Sequence, residues 1–165
     1  RLDIEQEPEF PKVEVEDVLT LKHAIYDLPL EYDDNVLNHT GTKHKVQITG
    51  YVGNRQLDWE KPSPTITGRG SRSGGAVIHP HPNRHRRLTV RECARIQSFP
   101  DDFEFIGSNG ACFAQIGNAV PPIMAFFIAN QFRELFDKKK VNFKKVKWSL
   151  PYEKEIRKRL LNSNK

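Results

Sequence analysis

One short segment, residues 68–75, contains four glycines in eight residues, with two arginines among them. Glycine lets backbone amides approach a partner closely, and Arg69 and Arg72 can contact phosphate or pair with guanine in the major groove. No Gly-Lys-Ser/Thr sequence closes the loop, which argues against nucleoside triphosphate binding. A disordered Arg-Gly-Ser linker with affinity for RNA is the alternative. The strand-like residues on both sides favour an ordered hairpin, and we expect DNA to be read here.

Three histidines lie close together just after this loop, at His79, His81 and His85. Zinc takes four ligands from cysteine, histidine or carboxylate, and no cysteine or carboxylate completes a set here. We therefore expect no metal. The histidines are instead expected to line the approach to DNA together with three arginines, Arg84, Arg86 and Arg87.

A short helix follows these residues and must position them. Thr89 and Glu92 have capping-box spacing, so the threonine oxygen can accept from the amide of residue 92 while the glutamate reaches back to the amide of residue 89. Pro100 is expected to end the helix, because the residue before a proline is pushed out of helical geometry. Arg91 and Arg95 lie one turn apart, where two like charges repel unless an anion or a carboxylate sits between them.

Two further helices are predicted from apolar periodicity. Thr20 can cap a short docking helix with an apolar stripe, which Pro29 ends. Residues 123–136 are apolar around most of the helix circumference, and such a helix must be covered on several sides. The turn at 117–120 is expected to aim backbone amides and the Asn118 carboxamide at a carboxylate beyond the next helix N-terminus. The alternative is that Asn118 merely caps the turn.

Between residues 38 and 82 the apolar period falls toward two. Residues 45–49 alternate polar and apolar side chains as a half-buried strand does, and Gly50 and Gly53 punctuate the segment. Together with the helices, this pattern predicts an α+β fold. We expect a small, irregular, twisted β-sheet recognition domain with long loops, plus helices that pack on an α/β, Rossmann-like catalytic domain outside this sequence.

The charge of the chain is unevenly distributed. Its 165 residues are 37% apolar and 28% charged, a globular composition with a net charge of +5. Residues 1–34 contain eleven acids, whereas residues 43–95 contain eleven lysines and arginines. A basic segment suits a phosphate backbone, and a solvated basic surface is the alternative. No apolar run reaches the roughly 18 residues of a membrane span, and we expect a protein of the prokaryotic cytoplasm or, alternatively, of a nucleus.

Two segments resemble motifs of a known enzyme family. Residues 86–100 read RRLTVRECARIQSFP, and residues 115–122 read QIGNAVPP. The pair resembles the ninth and tenth motifs of the DNA cytosine-5 methyltransferases, in the right order, and two long matches are a specific signal. Residues 20–29 also resemble the segment that follows the eighth motif in bacterial members. The resemblance covers about residues 18–136.

The resemblance implies roles for individual residues. Thr65 and Ile66 resemble the threonine-aliphatic pair of the family's recognition region, which would place Thr65 against the DNA backbone beside a flipped base. The tenth motif of the family contacts S-adenosylmethionine, which implies cofactor contacts from Asn118, Ala119 and Val120. The residues expected to contact double-stranded DNA are Thr65, Thr67, Arg69, Arg72, Arg84 and Arg86. The residues expected to build the two motifs are Arg87, Thr89, Arg91, Glu92, Arg95, Gln115 and Gly117.

The catalytic groups of the family are not among these residues. Family members activate carbon 5 of cytosine with a cysteine that follows a proline, and neither Cys93 nor Cys112 follows a proline. The Phe-x-Gly-x-Gly cofactor loop and the Glu-Asn-Val motif are also absent from the sequence. The two cysteines also lack metal spacing, which is typical of packing residues in a reducing compartment.

We therefore expect the C-terminal, DNA-recognising part of a DNA (cytosine-5-)-methyltransferase. The enzyme would transfer a methyl group from S-adenosylmethionine to carbon 5 of cytosine in a specific duplex sequence. This part alone is expected to be inactive without an N-terminal catalytic half, in the same polypeptide or as a separate subunit. The alternatives are a non-enzymatic, sequence-specific DNA-binding module and an Arg-Gly RNA-binding protein.

The same reasoning divides the chain into four parts. Residues 1–17 are expected to be a linker from the catalytic domain, and residues 18–103 the target-recognition domain with the ninth-motif helix. Residues 104–137 are expected to form the tenth-motif turn and a helix that packs on the catalytic domain. Residues 138–165 are expected to be a basic tail, solvated or in sequence-blind contact with DNA, with a terminal helix that Glu153 and Arg157 support. For a prokaryotic member, the family implies restriction-modification and association with the nucleoid.

Overall fold

The computed structural model of the chain describes residues 18–43, 45–50, 54–68, 78–137, 147 and 149–162. The helices among them are α1 (Leu21–Ile25), α2 (Val90–Ile96), α3 (Asn109–Asn118), α4 (Pro122–Asp137) and α5 (Glu153–Asn162). Helix α2 lies at the centre and packs against both α1 and α3. The predicted linker at 1–17, the glycine-rich loop with Arg69 and Arg72, and most of the lysine-rich run after α4 lie outside the described residues.

The predicted α+β fold is wrong for the part of the chain that the structure describes. Extended backbone pairs there in one isolated antiparallel bridge, between Pro80 and Arg87, and no strand forms. Residues 45–49 have no described strand beside them, and Ile48 is 44% exposed. An alternating segment is stabilised as a strand when a neighbour pairs with it and one of its faces is buried, and neither condition is met. The described fold consists of helices and loops.

The capping box of α2 is confirmed. Thr89 Oγ1 accepts from the Glu92 amide at 3.1 Å, and Glu92 Oε2 accepts from the Thr89 amide at 2.8 Å. The amides of residues 90 and 91 donate to the carbonyl oxygens of Thr40 and Asn38, at 2.8 and 3.0 Å. The N-terminal amides that an α-helix cannot satisfy internally are therefore held by side chains and by a preceding loop.

Helix α2 ends earlier than predicted. Its last residue is Ile96, not the residue before Pro100. Ser98 has a φ of 66°, in the left-handed region that terminates a helix. Residues 90–95 are all buried, so α2 is enclosed by the rest of the chain. A helix enclosed in this way is placed to connect several loops.

Helix α1 forms as predicted after Thr20, although it ends before Pro29. The amides of Leu21 and Lys22 donate to the carbonyl oxygens of Lys61 and Trp59, each at 3.0 Å. The loop that the sequence assigns to DNA recognition therefore caps the N-terminus of α1, and the two form one unit.

Helix α3 was not predicted, and the expectation of a turn at 117–120 is wrong for its first two residues. Helix α3 begins at Asn109 after Ser108, whose hydroxyl accepts from the Ala111 amide at 3.3 Å. Residues 117 and 118 do not form a turn of their own, because they are the last residues of α3. The apolar side chains of α3 are buried in the core beside α2, with Ile116 fully enclosed.

Helix α4 confirms the predicted apolar helix and begins at Pro122, where the missing proline amide costs nothing. Several of its apolar side chains are exposed, among them Met124, Phe132 and Phe136. By length and composition alone, Asn109–Phe136 is apolar enough to cross a membrane. The backbone is extended at Ala119, however, with ψ at 144°, so the segment is two helices. Each is shorter than the roughly 20 residues of a membrane span.

The described end of the chain packs into the core. Tyr152 and Ile156 are buried, and the Tyr152 hydroxyl donates to the carbonyl oxygen of Arg95 at 2.7 Å. The predicted terminal helix is confirmed as α5, with an ion pair between Glu153 and Arg157. Residues 149–157 are therefore not the solvated tail that the sequence predicted.

Candidate functional site

A buried ion pair lies at the N-terminus of α2. Arg86 Nη2 donates to Glu92 Oε1 at 2.7 Å, and Arg86 Nη1 donates to Glu92 Oε2 at 2.8 Å. Arg86 Nε also donates to the Leu30 carbonyl oxygen at 2.7 Å. Arg86 is 7% exposed, so the geometry does not support its predicted contact with DNA. Its guanidinium is used inside the protein to neutralise the capping glutamate.

Arg91 connects two loops to α2, the one that contains Leu37 and the one between α2 and α3. Its guanidinium donates to the carbonyl oxygens of Leu37 at 2.8 Å, Pro100 at 3.0 Å and Phe103 at 2.8 Å. Burial lowers the pKa of Arg91, whose side chain is 1% exposed. Backbone carbonyls that a β-ladder would satisfy in a sheet are satisfied here by an arginine.

Arg87, which precedes α2, and Arg95, in its last turn, are also held inside the protein. Arg87 donates to the carbonyl oxygens of Ile78 at 2.7 Å and Lys45 at 3.0 Å. Arg95 is held by two carboxylates, Asp101 at 2.7 Å and Asp27 at 2.6 Å. The sequence analysis expected a carboxylate or an anion near Arg91 and Arg95, and Asp101 of this chain is that carboxylate.

The histidines do not form a metal site within the described residues, where no group of three metal-ligating side chains occurs. His81 packs edge-on against the rings of Trp59 and His85, with ring centroids 5.3 and 5.5 Å apart. Its Nε2 lies 3.6 Å from Glu92 Oε1. Burial lowers the pKa of His81 to about 4, although the Glu92 carboxylate opposes the shift. His81 is therefore neutral at pH 7 and part of the packing.

Acid is expected to destabilise the protein through His81. Its pKa is about 4 when folded and 6.5 when unfolded, so the unfolded chain binds the additional proton between these values. The contribution of neutral His81 to stability is complete above pH 6.5 and is lost as the pH falls toward 4. About 1.6 kcal/mol should be lost between pH 6.5 and pH 5. Urea unfolding at several pH values measures this loss.

A single variant isolates the histidine. His81→Gln should flatten the pH dependence, because the glutamine side chain gains no proton in this range. An equally steep acid loss in His81→Gln would assign the effect to other groups, among them buried His79, whose pKa burial also lowers.

The predicted recognition segment meets the end of α3. A Cβ added at Gly117 would lie 2.2 Å from both the Gly68 backbone nitrogen and the Thr67 carbonyl carbon. The two chain segments are therefore in direct backbone contact. Thr65 is exposed beside this contact, while Thr67 Oγ1 is buried without a hydrogen-bond partner. The structure brings together the segments that the resemblance assigned to DNA and to cofactor.

The predicted cofactor residues lie between α3 and α4. Asn118 and Val120 are exposed, and the Ala119 amide donates to the Ile116 carbonyl oxygen at 3.3 Å. Residues 117 and 118 end α3, and α4 begins at Pro122, so Ala119 and Val120 lie between the C-terminus of one helix and the N-terminus of the next. Gln115 Nε2 donates to the Ile106 carbonyl oxygen at 3.1 Å and holds the loop before α3.

Both cysteines lie inside the protein. Cys93 and Cys112 are both buried. Burial raises the pKa of each thiol, which keeps both in the unreactive neutral form. This agrees with the interpretation of both as packing residues.

Arg84 is the exposed member of the predicted DNA contacts on the turn after His81. It has a φ of 63°, which turns the chain back toward α2. Its backbone amide donates to the His81 carbonyl oxygen at 2.7 Å, so the turn is ordered while its side chain faces solvent. This position suits contact with phosphate.

Sequence reasoning missed the role of the loop at 35–43, which forms hydrogen bonds with both α2 and α3. Asn38, with a φ of 58°, exchanges two hydrogen bonds with the backbone of Phe105, each at 2.9 Å. Asn109 Nδ2 donates to the Gly41 carbonyl oxygen at 2.7 Å. The tolerance of asparagine for left-handed geometry was a signal for a special position at Asn38, but its partners are 67 residues away in the sequence.

Helix α2 is capped, and its arginines hold irregular loops in place. The end of α3 contacts the recognition segment through Gly117. The family model for C-5 cytosine-specific DNA methylase matches residues 6–134, more than half of the chain. The chain belongs to the C-5 cytosine-specific DNA methylase family, as the ninth- and tenth-motif resemblance predicted.

Individual relatives agree with this assignment. The chain is 34% identical over 120 residues to the type II methyltransferase M.Bpa9945I of Bacillus paralicheniformis, covering 72% of this chain and 26% of that protein. It is 40% identical over 104 residues to DNA (cytosine-5)-methyltransferase 1B of rice, covering 63% of this chain and 7% of the relative. It is 43% identical over 84 residues to M.Eco47II of Escherichia coli, covering 51% and 20%. The chain thus spans about a quarter or less of these relatives.

Proposed function

We propose that this chain is the part of a DNA (cytosine-5-)-methyltransferase that recognises DNA and forms one side of the cofactor site. The complete enzyme would transfer a methyl group from S-adenosylmethionine to carbon 5 of cytosine in a specific duplex sequence. The contact between Gly68 and the end of α3 carries the proposal, because it brings the recognition segment beside the tenth motif. The segment that binds the target base and the segment that binds the cofactor would then be in direct contact.

DNA is proposed to contact Thr65 and Arg84, whose side chains both face solvent. Thr67 is not proposed as a DNA contact, because its hydroxyl oxygen is buried inside the protein. Arg69 and Arg72, which follow Thr65 in the sequence, are proposed as further contacts with DNA. Arginine contacts of this kind release counterions, so affinity should fall steeply as salt is raised.

S-adenosylmethionine is proposed to bind beside Asn118, Ala119 and Val120. The carboxamide of Asn118 makes no hydrogen bond to another described residue and can donate or accept. The partial negative charge at the end of α3 also suits a cationic group, and the cofactor carries a sulfonium and an ammonium. The residues present therefore fit the cofactor. When bound, it supplies the methyl group, and this chain would hold and orient it.

The thiol nucleophile is proposed to come from a catalytic half outside this sequence. Both cysteines here are buried with raised pKa values, so neither can supply a thiolate to cytosine. The exposed apolar residues of α4, including Phe132 and Phe136, are proposed to pack against that half. Some bacterial relatives are named as type II methyltransferases, and we propose a corresponding role in restriction-modification, in the prokaryotic cytoplasm.

Methyl transfer tests the proposal directly. Labelled S-adenosylmethionine and mixed-sequence duplex DNA are incubated with this chain alone and with this chain plus the catalytic half. Transfer is expected only when both halves are present, because the chain alone supplies no reactive thiolate. Protection from restriction enzymes then identifies the target sequence. As the matched control, substituting the cysteine that follows a proline in the catalytic half should abolish transfer, whereas Cys112→Ser should not.

Two outcomes would contradict the proposal. Transfer by this chain alone would show that the catalytic groups had been misassigned. Sequence-specific DNA binding without transfer in any combination would identify a non-enzymatic DNA-binding module instead.

A further inference from the structure

Gly68 leaves open the space that the Asn118 side chain occupies. A Cβ added at Gly68 would lie 2.2 Å from Oδ1 and 2.6 Å from Cγ of Asn118. Both distances are far inside the roughly 3.5–4.0 Å at which non-bonded atoms pack favourably. Any residue other than glycine at position 68 therefore competes with the carboxamide for the same volume.

The obstacle at the neighbouring glycine is of a different kind. A Cβ at Gly117 would meet backbone atoms of Thr67 and Gly68, which cannot rotate away. A Cβ at Gly68 would meet the end of an exposed side chain, which can. Substitution of Gly68 should therefore leave the backbone junction in place and displace only the Asn118 carboxamide.

We propose that Gly68 is a positioning residue for the cofactor: by lacking a Cβ, it allows the Asn118 carboxamide to lie across the recognition segment. No hydrogen bond within the described residues holds that carboxamide, so steric access to this position is what selects its rotamer. The inference rests on the proposed function, in which Asn118 contacts S-adenosylmethionine. It adds that a residue of the DNA-recognition segment sets cofactor affinity.

A double-mutant cycle in the complete enzyme tests the inference. Gly68→Ala, Asn118→Ala and the double variant are compared by calorimetric binding of S-adenosylmethionine and by KM and kcat. Each single variant should weaken cofactor binding about 5- to 10-fold, the loss of one hydrogen bond, mainly through KM. The double variant should be no weaker than Asn118→Ala alone, because both changes remove the same contact.

Gly41→Ala is the matched control. Its Cβ would lie 2.9 Å from the hydroxyl oxygen of Tyr32, again the end of an exposed side chain, but in a different loop. This variant should bind S-adenosylmethionine as the wild type does. The Asn118 side-chain amide resonances of the ligand-free enzyme provide a readout independent of activity, and they should shift in Gly68→Ala but not in Gly41→Ala.

Several outcomes would overturn the inference. Wild-type cofactor affinity in Gly68→Ala, or effects of the two single variants that multiply in the double variant, would show that Gly68 acts independently of Asn118. If Gly68→Ala fails to fold, the double variant, which lacks the obstructing side chain, should fold, and failure of both would point to a purely structural role. A wild-type enzyme that neither binds the cofactor nor transfers methyl groups would contradict the proposed function itself.

Discussion

Replacing Glu92 by alanine is expected to lower the free energy of unfolding by about 3–5 kcal/mol, the cost of removing one partner of a buried ion pair. Glu92 is fully buried and accepts both from the Arg86 guanidinium and from the Thr89 amide. Without it, a buried positive charge loses its partner and the first amide of the capping box loses its acceptor. Chemical denaturation of the chain, monitored by circular dichroism, measures the change.

The controls test whether the loss of stability comes from the burial of the ion pair or from the loss of any ion pair. Glu60 pairs with Lys22 at 3.0 Å, but both side chains are more than half exposed, so Glu60→Ala should cost less than about 1 kcal/mol. Replacing both Arg86 and Glu92 by methionine should recover much of the loss, because no unpaired charge remains buried. A Glu92→Ala variant as stable as Glu60→Ala would contradict the assigned role of the pair.

Arg91→Lys is expected to cost about 2–5 kcal/mol even though the charge is kept. The guanidinium reaches the carbonyl oxygens of Leu37, Pro100 and Phe103 at once, whereas a single ammonium cannot occupy all three directions. Each buried carbonyl left without a donor costs roughly 1–3 kcal/mol. Chemical denaturation gives the total, and amide hydrogen exchange should rise in the loops around residues 37 and 103.

Arg84→Lys makes the same chemical change at an exposed position and should alter stability by less than about 0.5 kcal/mol. The comparison therefore isolates the geometry of the donors from the charge. Equal stability of the two variants, or exchange that rises uniformly along the chain, would show that Arg91 does not connect these loops.

Three of the helices could be predicted from short sequence patterns. The capping box at Thr89 and Glu92, the helix after Thr20 and the apolar helix beginning at Pro122 all formed as predicted. Each depends on residues within a few positions of one another, so the energy terms that select it are visible in a short window. Helix α3 was missed because its apolar residues, including Ile116, are buried by contacts with distant segments.

The predicted sheet was wrong because a strand depends on contacts that are not local in the sequence. Alternation at residues 45–49 is a local signal, but a strand needs a neighbour, and no local pattern supplies one. The described loops instead obtain their hydrogen bonds from Arg87 and Arg91. Arg86 and Arg87, which the sequence offered as residues near DNA, donate to the protein's own backbone, whereas Arg84 is exposed. Only burial distinguishes the two uses.

The sequence by itself determined the family, because two long motifs in order carry enough identity to be recognised without coordinates. It also determined where the capped and apolar helices begin, since those signals are local. Only the tertiary structure decided that Arg86 faces inward, that residues 149–157 join the core, and that Gly68 meets the end of α3. Those facts depend on contacts between residues far apart in the chain, whose free energies appear only after the whole segment has packed.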